Sequence, residues 1–571
     1  MTRPFRHRPA RRAQRGVAGT LAAIWLIVAV AALGAIDVGN FFFARRSLQS
    51  AADLAATAGS QVADAACTRA AAAATGSVAV NGFDATASGN GMTTACGRWD
   101  TQANAAPDYF AAGGTPINAV KVVATRTVPY FFVGPARTVT ATAVAKVTDI
   151  GAFSIGTTLA SIGPGPINGL LNALLGTSLN LSLASYQGLA DTRVKIADLV
   201  TAAGVGTVDQ LLATSLTAAQ IARLMVNALQ TTSVANANLS TALGAMQTIA
   251  SANISGNQTI SLGKTSTAPG LLSVALANTQ SALNATISPL DALFVMAEIA
   301  QAGKSAVNVA GGLNLLGISA GLTVQVIQPP VLAIGEAGQD ANGNWRTQAQ
   351  TAQVRASLDV TVGTLSLVLG PLFGNIAPTV HLPVVVEAVA GSAYLASTQC
   401  KGPPLARRSV IGVNSTVANV CVGDTPAGTA ACSQPATLVN VLGLLTVTAK
   451  VTTGSVPSAS GTLTFDGQSG NSDDYQTLAS LPGKTLANAL SSLNTSLSAP
   501  GGLILASPLL PSALLNSIAP LLLALLTPAL TTILAGLDQV LVPVLQLLGA
   551  QIGTSTIHDL SLTCGESQLA Y

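Results

Sequence analysis

From residue 16 to residue 36 the chain holds an unbroken run, GVAGTLAAIWLIVAVAALGAI, without one charged side chain. At about 1.5 Å per helical residue such a run covers roughly 30 Å, the thickness of a hydrocarbon core. It predicts a transmembrane helix. The pattern then changes without stopping: Phe41, Arg45, Leu48, Ala52, Ala55, Ala56 and Gly59 recur at three- and four-residue steps, the period of one helix face. No proline interrupts positions 10 to 106, so span and Ala-rich segment are expected to form one continuous rod. Small residues four apart inside the run, such as Ala18 and Ala22 or Ala31 and Ala35, would let another helix approach closely.

Beyond a Gly/Asn/Ser-rich stretch, NAVKVVATRTVPYFF and ARTVTATAVAKVT alternate apolar and polar residues around VGP, which predicts a β-hairpin. Residues 149–320 carry mainly helical patterns, with capping boxes at Thr207–Gln210 and Thr217–Gln220 and a helix start at Ser288-Pro289. Strand patterns return over 321–467, and apolar, proline-broken helices are expected over 485–550. Those prolines leave no apolar run long enough for a second span. The fold class expected is α+β. Its parts are a basic tail (1–15), the span (16–36), a helix-plus-hairpin region (37–148) and a large domain (149–571).

Charge alters this picture in one respect. Only 9% of residues are charged, and Arg3, Arg6, Arg8, Arg11, Arg12 and Arg15 all precede the span, whereas no acid occurs before Asp37. Such a block directs topology rather than nucleic-acid binding: the N-terminus is expected in the cytoplasm and the bulk of the chain across the membrane. A cleaved signal peptide is the rival reading, since Ala29-Val-Ala31 offers small residues at suitable positions. The apolar run continues past them to Ile36, and Phe41 to Phe43 then stand where an interfacial aromatic group belongs. Cys67, Cys96, Cys400, Cys421, Cys432 and Cys564 all follow the span. None forms a C-x-x-C pair, and an even number suits disulfides in an oxidising compartment, with buried thiols as the alternative. Cys67 and Cys96 are the natural local pair.

Catalytic patterns are sparse. GISAG at 317–321 imitates a nucleophile elbow, but a strand pattern follows its Ser319 where a helix is required. The GKT and GKS triplets at 263, 303 and 483 lack the glycine five positions earlier that a phosphate loop needs. DANGN at 340–344 opens like a calcium loop, yet Trp345 and Thr351 occupy its glycine and glutamate positions. No catalytic residue, cofactor or metal site is expected, and His7, His381 and His558 are read as structural.

The segment RRAQRGVAG, a span, and then DVGNFFFARRSLQSAADLAATAG resembles the N-terminal region of TadE/TadG-type Flp (tight adherence) pilus assembly proteins. The positions carrying the resemblance are Arg15, Gly16, Asp37, Gly39, Arg45 or Arg46, Leu48, Gln49, Ala51, Ala52, Asp53, Ala55 and Ala56. The remainder is similar to the long periplasmic region of one TadG subgroup, a domain of unknown function. It implies a non-catalytic bacterial inner-membrane protein, with most of the chain in the periplasm, that assembles or anchors a Flp-type pilus. Its partners would be other Tad/Flp assembly proteins or pseudopilins. Gly16, Asp37, Gly39, Phe41, Arg45, Leu48, Gln49, Ala52 and Asp53 are the candidate residues for anchoring and helix contact. Two departures stand out: Leu21 occupies the position where prepilin-like members carry Glu, and no Asp-x-Ser-x-Ser metal motif occurs. A processed pilin-like subunit and a periplasmic lipid- or polymer-binding protein remain as alternatives.

Overall fold

The computed structural model describes residues 15–570 apart from 65, 133, 157–162, 256–257, 310–312, 316–317, 363–366, 369–374, 377–378, 401–403, 416, 427–428, 442–444, 453–458, 479–485, 500, 509–510, 514, 518–519, 521–523, 525–527, 529–540 and 551–553. Residues 1–14 of the basic tail and part of the apolar region expected over 485–550, including all of 529–540, therefore lie outside the described residues. The rest of that region is helical over Leu486–Ser498 and 541–547, but Leu503–Ala506 is a strand paired with Leu445–Ala449 rather than helix. The chain forms two units: residues 1–147 with 566–571, and residues 148–565.

In the first unit a single helix, α1 (Arg15–Ser60), is followed by α2 (Thr68–Val80) and strands β1 (Asn90–Trp99), β2 (Phe110–Ala112), β3 (Ala119–Val128) and β4 (Arg137–Lys146). The sheet order is β2-β1-β3-β4, closed at the β4 edge by the C-terminal strand Gln568–Ala570. That last strand covers backbone groups that would otherwise form an open edge. The β3–β4 hairpin pairs Ala119 with Lys146 through Val128 with Arg137. Alanine decides how closely the helices lie on the sheet. Ala44, Ala51, Ala52, Ala55 and Ala56 of α1 and Ala70 and Ala74 of α2 are buried with Val120, Val122, Ala141 and Ala143. At Gly59 even a methyl group would stand 3.2 Å from the Ala70 carbonyl and from Val120. Cys67 and Cys96 form a disulfide that ties the start of α2 to β1.

The second unit is α+β. A mixed sheet runs Tyr475–Leu478, Ser555–Thr563, Ile150–Ile155, Leu332–Gly335, Gly270–Ala275, Thr259–Gly263, Ser215–Thr217. Only the pairings of Gly270–Ala275 with its two neighbours are parallel among the described strands. Against this sheet pack helices from Pro164–Leu175 to Pro289–Gln301, whose apolar faces make one core. Thr217 and Gln220 close a capping box, and Ser288 caps a helix whose first residue is Pro289. At Thr207 only half of the expected box forms, because Thr207 accepts the Gln210 N–H while the Gln210 side chain accepts from Gly206 instead. The segment read as helical also contributes the strands at 150–155, 259–263 and 270–275. Ile150–Ile155 is buried at every position and lacks the alternation that marks an exposed face. Thr259–Gly263 alternates over only five residues and pairs in parallel with Gly270–Ala275, so no hairpin pattern marks it. Antiparallel strands dominate 318–465, with Ile318–Gln328, Gln353–Val362 and Val380–Val389 side by side. Cys400–Cys564 and Cys421–Cys432 form disulfides within this unit.

Candidate functional site

The helix α1 is two helices in chemical character. Along its first half Leu21, Ile24, Trp25, Leu26, Ile27 and Val30 are all at least half exposed, Trp25 at 70%. Fully burying each such side chain is worth about 1.5–3 kcal/mol, so a row of six left in water forgoes a free energy as large as the net stability of a typical domain. The helix is long and apolar enough to cross a membrane. Beyond Phe43 one face turns inward: Ala44, Leu48, Ala51, Ala52, Ala55 and Ala56 are buried on the protein's own sheet and on α2. Leu48 and Ala52 therefore make their helix contact within the chain. Arg45 falls off this face, and Ala44 takes the place that the sequence pattern assigned to it. A guanidinium would need a buried partner there, which an alanine does not. Gln49 reaches Asp53 at 2.8 Å and the carbonyl of Thr142 in β4 at 3.1 Å. Gly16 is the second residue of α1, and Gly39 faces open space with nothing within 4 Å of an added Cβ.

At the junction of the two halves sits Asp37, 2% exposed. Its carboxylate accepts the backbone N–H of Phe131 at 2.7 Å and of Phe132 at 3.0 Å. Both belong to the tip of the β3–β4 hairpin, and Phe41 stacks on Tyr130 of the same tip with ring centroids 6.3 Å apart. The sequence marks Asp37 as the first charge after the span, but nothing local shows that it holds a loop more than ninety residues away. Phe42, Phe43, Phe131 and Phe132 remain more than half exposed around it.

The second unit contains a buried polar network that sequence reasoning missed. Asp291, in the first turn of helix Pro289–Gln301, accepts from the Ser154 hydroxyl at 2.6 Å and meets His558 Nδ1 at 2.7 Å. His558 Nε2 faces the Arg193 guanidinium at 2.8 Å, and Arg193 also binds Asp474 at 2.8 Å. Tyr475 stacks on the imidazole, centroids 4.0 Å apart. Because an arginine N–H can only donate, Nε2 must accept and Nδ1 carries the proton to Asp291. Burial lowers the His558 pKa and holds the ring neutral. Burial opposes the Asp291 charge, but His558, Ser154 and Arg193 together keep its pKa below the usual carboxylate value. Serine, histidine and aspartate here do not make a nucleophilic triad. The carboxylate lies between the other two, both imidazole nitrogens are engaged, and each of the three residues is at most 4% exposed. The network joins strands and a helix that are far apart in sequence.

Other candidate chemistry is similarly occupied. Asp340 of DANGN accepts the N–H groups of Asn342 and Asn344 at 2.9 Å, shaping a turn. Ser319 lies inside the strand Ile318–Gln328. Asp149, Cys400 and Cys564 cluster closely enough for an ion, but both sulfurs are joined in a disulfide. Asp559, beside the network, is raised by burial first and by the Asp474 charge next, to about 7 from an ordinary 3.8. The folded state thus keeps a proton that the unfolded chain releases near pH 4, so this stabilisation is lost as pH rises towards 7. At about 1.4 kcal/mol per pH unit, wild-type protein should lose about 2–3 kcal/mol between pH 5 and pH 8 on this account. Asp559→Asn should remove that part of the decline in urea unfolding. Equal declines in both proteins would clear the carboxylate of the effect.

Residues 49–145 match the family described as "Putative Tad-like Flp pilus-assembly", and residues 164–299 match a domain of unknown function (DUF8293). The first match begins inside α1 and ends in β4, so it coincides with the packed part of the first unit. The second runs from the first helix of the second unit to the helix that carries Asp291. No curated protein and no solved structure gives a match. Together the two matches are consistent with a Tad-like protein carrying a large domain of unknown function, and the first supports a role in pilus assembly.

Proposed function

We propose that this protein is a non-catalytic, membrane-anchored component that assembles or anchors a Flp-type pilus. Residues 16–36 cross the inner membrane with the arginine-rich tail in the cytoplasm, and both folded units stand in the periplasm. The observation that carries this reading is the unbroken course of α1 from Arg15 to Ser60: one half is exposed and apolar, the other is built into the domain that matches the pilus-assembly family. Continuity also argues for an uncleaved anchor, since cleavage after Ala31 would cut a regular helix nearly two turns before Asp37. Cys67–Cys96, Cys400–Cys564 and Cys421–Cys432 suit an oxidising compartment on the far side of the membrane.

The partner is another Tad/Flp assembly protein or a pseudopilin, and it docks along the outward face of α1. Asp37, Ala44, Leu48 and Ala52 are buried within the unit, whereas Gly39, Phe43, Arg46, Ser50 and Leu54 are exposed on the opposite side. Gly39→Leu should leave the fold intact, because no neighbouring atom lies within reach, yet reduce pilus formation several-fold where a partner helix approaches closely. A photo-crosslinker at 39, 43 or 46 should recover a pilus-assembly protein or pilin in cells, and one at 48 should not. Recovery of nothing from the three exposed sites would sink the assembly reading.

A further inference from the structure

We propose that the tip of the β3–β4 hairpin is a second membrane contact: Phe131 and Phe132 enter the headgroup–acyl boundary beside the span and bind a lipid surface. The inference rests on the reading of residues 16–36 as the span. Its carrying observation is a height. The uncharged run ends at Ile36, and Asp37 is the next residue. The backbone N–H groups of Phe131 and Phe132 lie 2.7 and 3.0 Å from the Asp37 carboxylate. Two charge-assisted hydrogen bonds therefore fix the tip at the level where α1 leaves the hydrocarbon.

What the tip presents there is apolar. Phe131 is 63% and Phe132 53% exposed, on a loop whose backbone is already tied to α1. Together with Phe42 and Phe43, which stand about 8–9 Å further along α1 than Asp37, they place exposed aromatic rings on both α1 and the hairpin within the depth of an interfacial layer, the composition found where a protein meets the interface. An aqueous loop has no reason to expose two adjacent phenylalanines, and the lipid that covers the span is continuous with the space around them. Charge agrees. Arg137 opens β4 next to the tip, Arg126 lies two residues before the end of β3, and Arg45 and Arg46 lie about two turns above Asp37. All four are exposed, and none has an acidic partner among the described residues. Arginines just outside an aromatic layer reach lipid phosphates. The same arrangement shields Asp37 from lipid, since the loop that it holds covers its carboxylate. A helix anchored at one point can rotate about its axis. Adding a hairpin contact on one side sets the orientation of the whole first unit, and with it the side of α1 that is offered to a partner.

The test uses the full-length chain, whose described cysteines are all in disulfides, reconstituted in bilayers of phosphatidylcholine and phosphatidylglycerol. A polarity-sensitive fluorophore is placed in turn at Phe132→Cys, Ile27→Cys and Gln102→Cys, and quenching is read with nitroxide lipids labelled near the headgroup or near the chain end. Gln102 is exposed at the opposite end of the sheet, and the Phe132 substitution leaves the backbone hydrogen bond in place. The expected result is strong chain-end quenching at 27, headgroup-level quenching at 132, and several-fold weaker quenching at 102. Quenching at 27 with none above the 102 level at 132 overturns the hairpin contact and leaves the span standing. No quenching at 27 removes the span, and this inference with it. A blue-shifted but unquenched label at 132 also overturns it, because the tip would then be covered by protein.

Discussion

Arg193→Met should lower the unfolding free energy of the second unit by about 3–5 kcal/mol. The guanidinium, 3% exposed in its side chain, pairs with Asp474 at 2.8 Å and donates to His558 Nε2 at the same distance. It also reaches the carbonyl of Ala190 at 2.6 Å. Methionine would fill much of the volume, so the loss is mainly electrostatic. Asp474 would lie uncompensated in a dry interior, and Asp291 would lose the cation that helps to keep it ionised. Removing the arginine also removes a charge that depresses the His558 pKa. The imidazole would then take up a proton more readily between its two carboxylates, and the loss should shrink as pH falls towards 5. Urea unfolding of the full chain, followed by hydrogen exchange of peptides from the second unit, measures both effects. A loss under about 1 kcal/mol at pH 7 would contradict the reading of this cluster as a structural ion network.

The second large effect is expected at Cys400–Cys564. This disulfide spans 164 residues, against 11 for Cys421–Cys432. Closing the longer loop removes more freedom from the unfolded chain: about 5 kcal/mol by the chain-entropy relation, compared with about 3 for the shorter one. Cys400 follows the strand Ser392–Gln399, and Cys564 follows the strand Ser555–Thr563 just before the chain returns to the first unit at Glu566. A double serine replacement at 400 and 564 should therefore cost more than one at 421 and 432, by about 2 kcal/mol on this relation. Parallel denaturant titrations would compare them directly. Equal losses would mean that the unfolded chain is already constrained near residues 400 and 564.

The difference between legible and hidden features runs through particular residues. Thr217 and Gln220, or Ser288 and Pro289, announce helix starts because a cap is made within four residues. The hairpin strands are legible for the same reason, as buried Val122, Ala124, Val139 and Ala141 alternate with half-buried or exposed neighbours. His558 reads only as a histidine beside an acid. Its partners Asp291 and Arg193 stand 267 and 365 residues away, and no local period records such a pairing. The strands at 259–263 and 270–275 were hidden differently. They are short and pair in parallel with each other, leaving no hairpin signal, and the alternation at 259–263 runs over only five residues.

By itself the sequence determined the features that depend on neighbouring residues: an uncharged run of membrane length, the arginine asymmetry around it, the helix that continues beyond it, the caps and the hairpin. These follow from covalent spacing and from the period of each backbone conformation. Only the tertiary structure decided which α1 residues are consumed by the protein's own sheet, with Ala44 and Leu48 inward and Gly39 and Phe43 outward. It alone decided that Asp37 holds the hairpin tip and that Gln568–Ala570 closes the sheet at β4. Those outcomes depend on which distant segments can bury apolar surface while pairing the polar groups that they enclose, as Asp37 is paired with the hairpin tip. That condition applies to the whole folded chain, and no stretch of sequence expresses it alone.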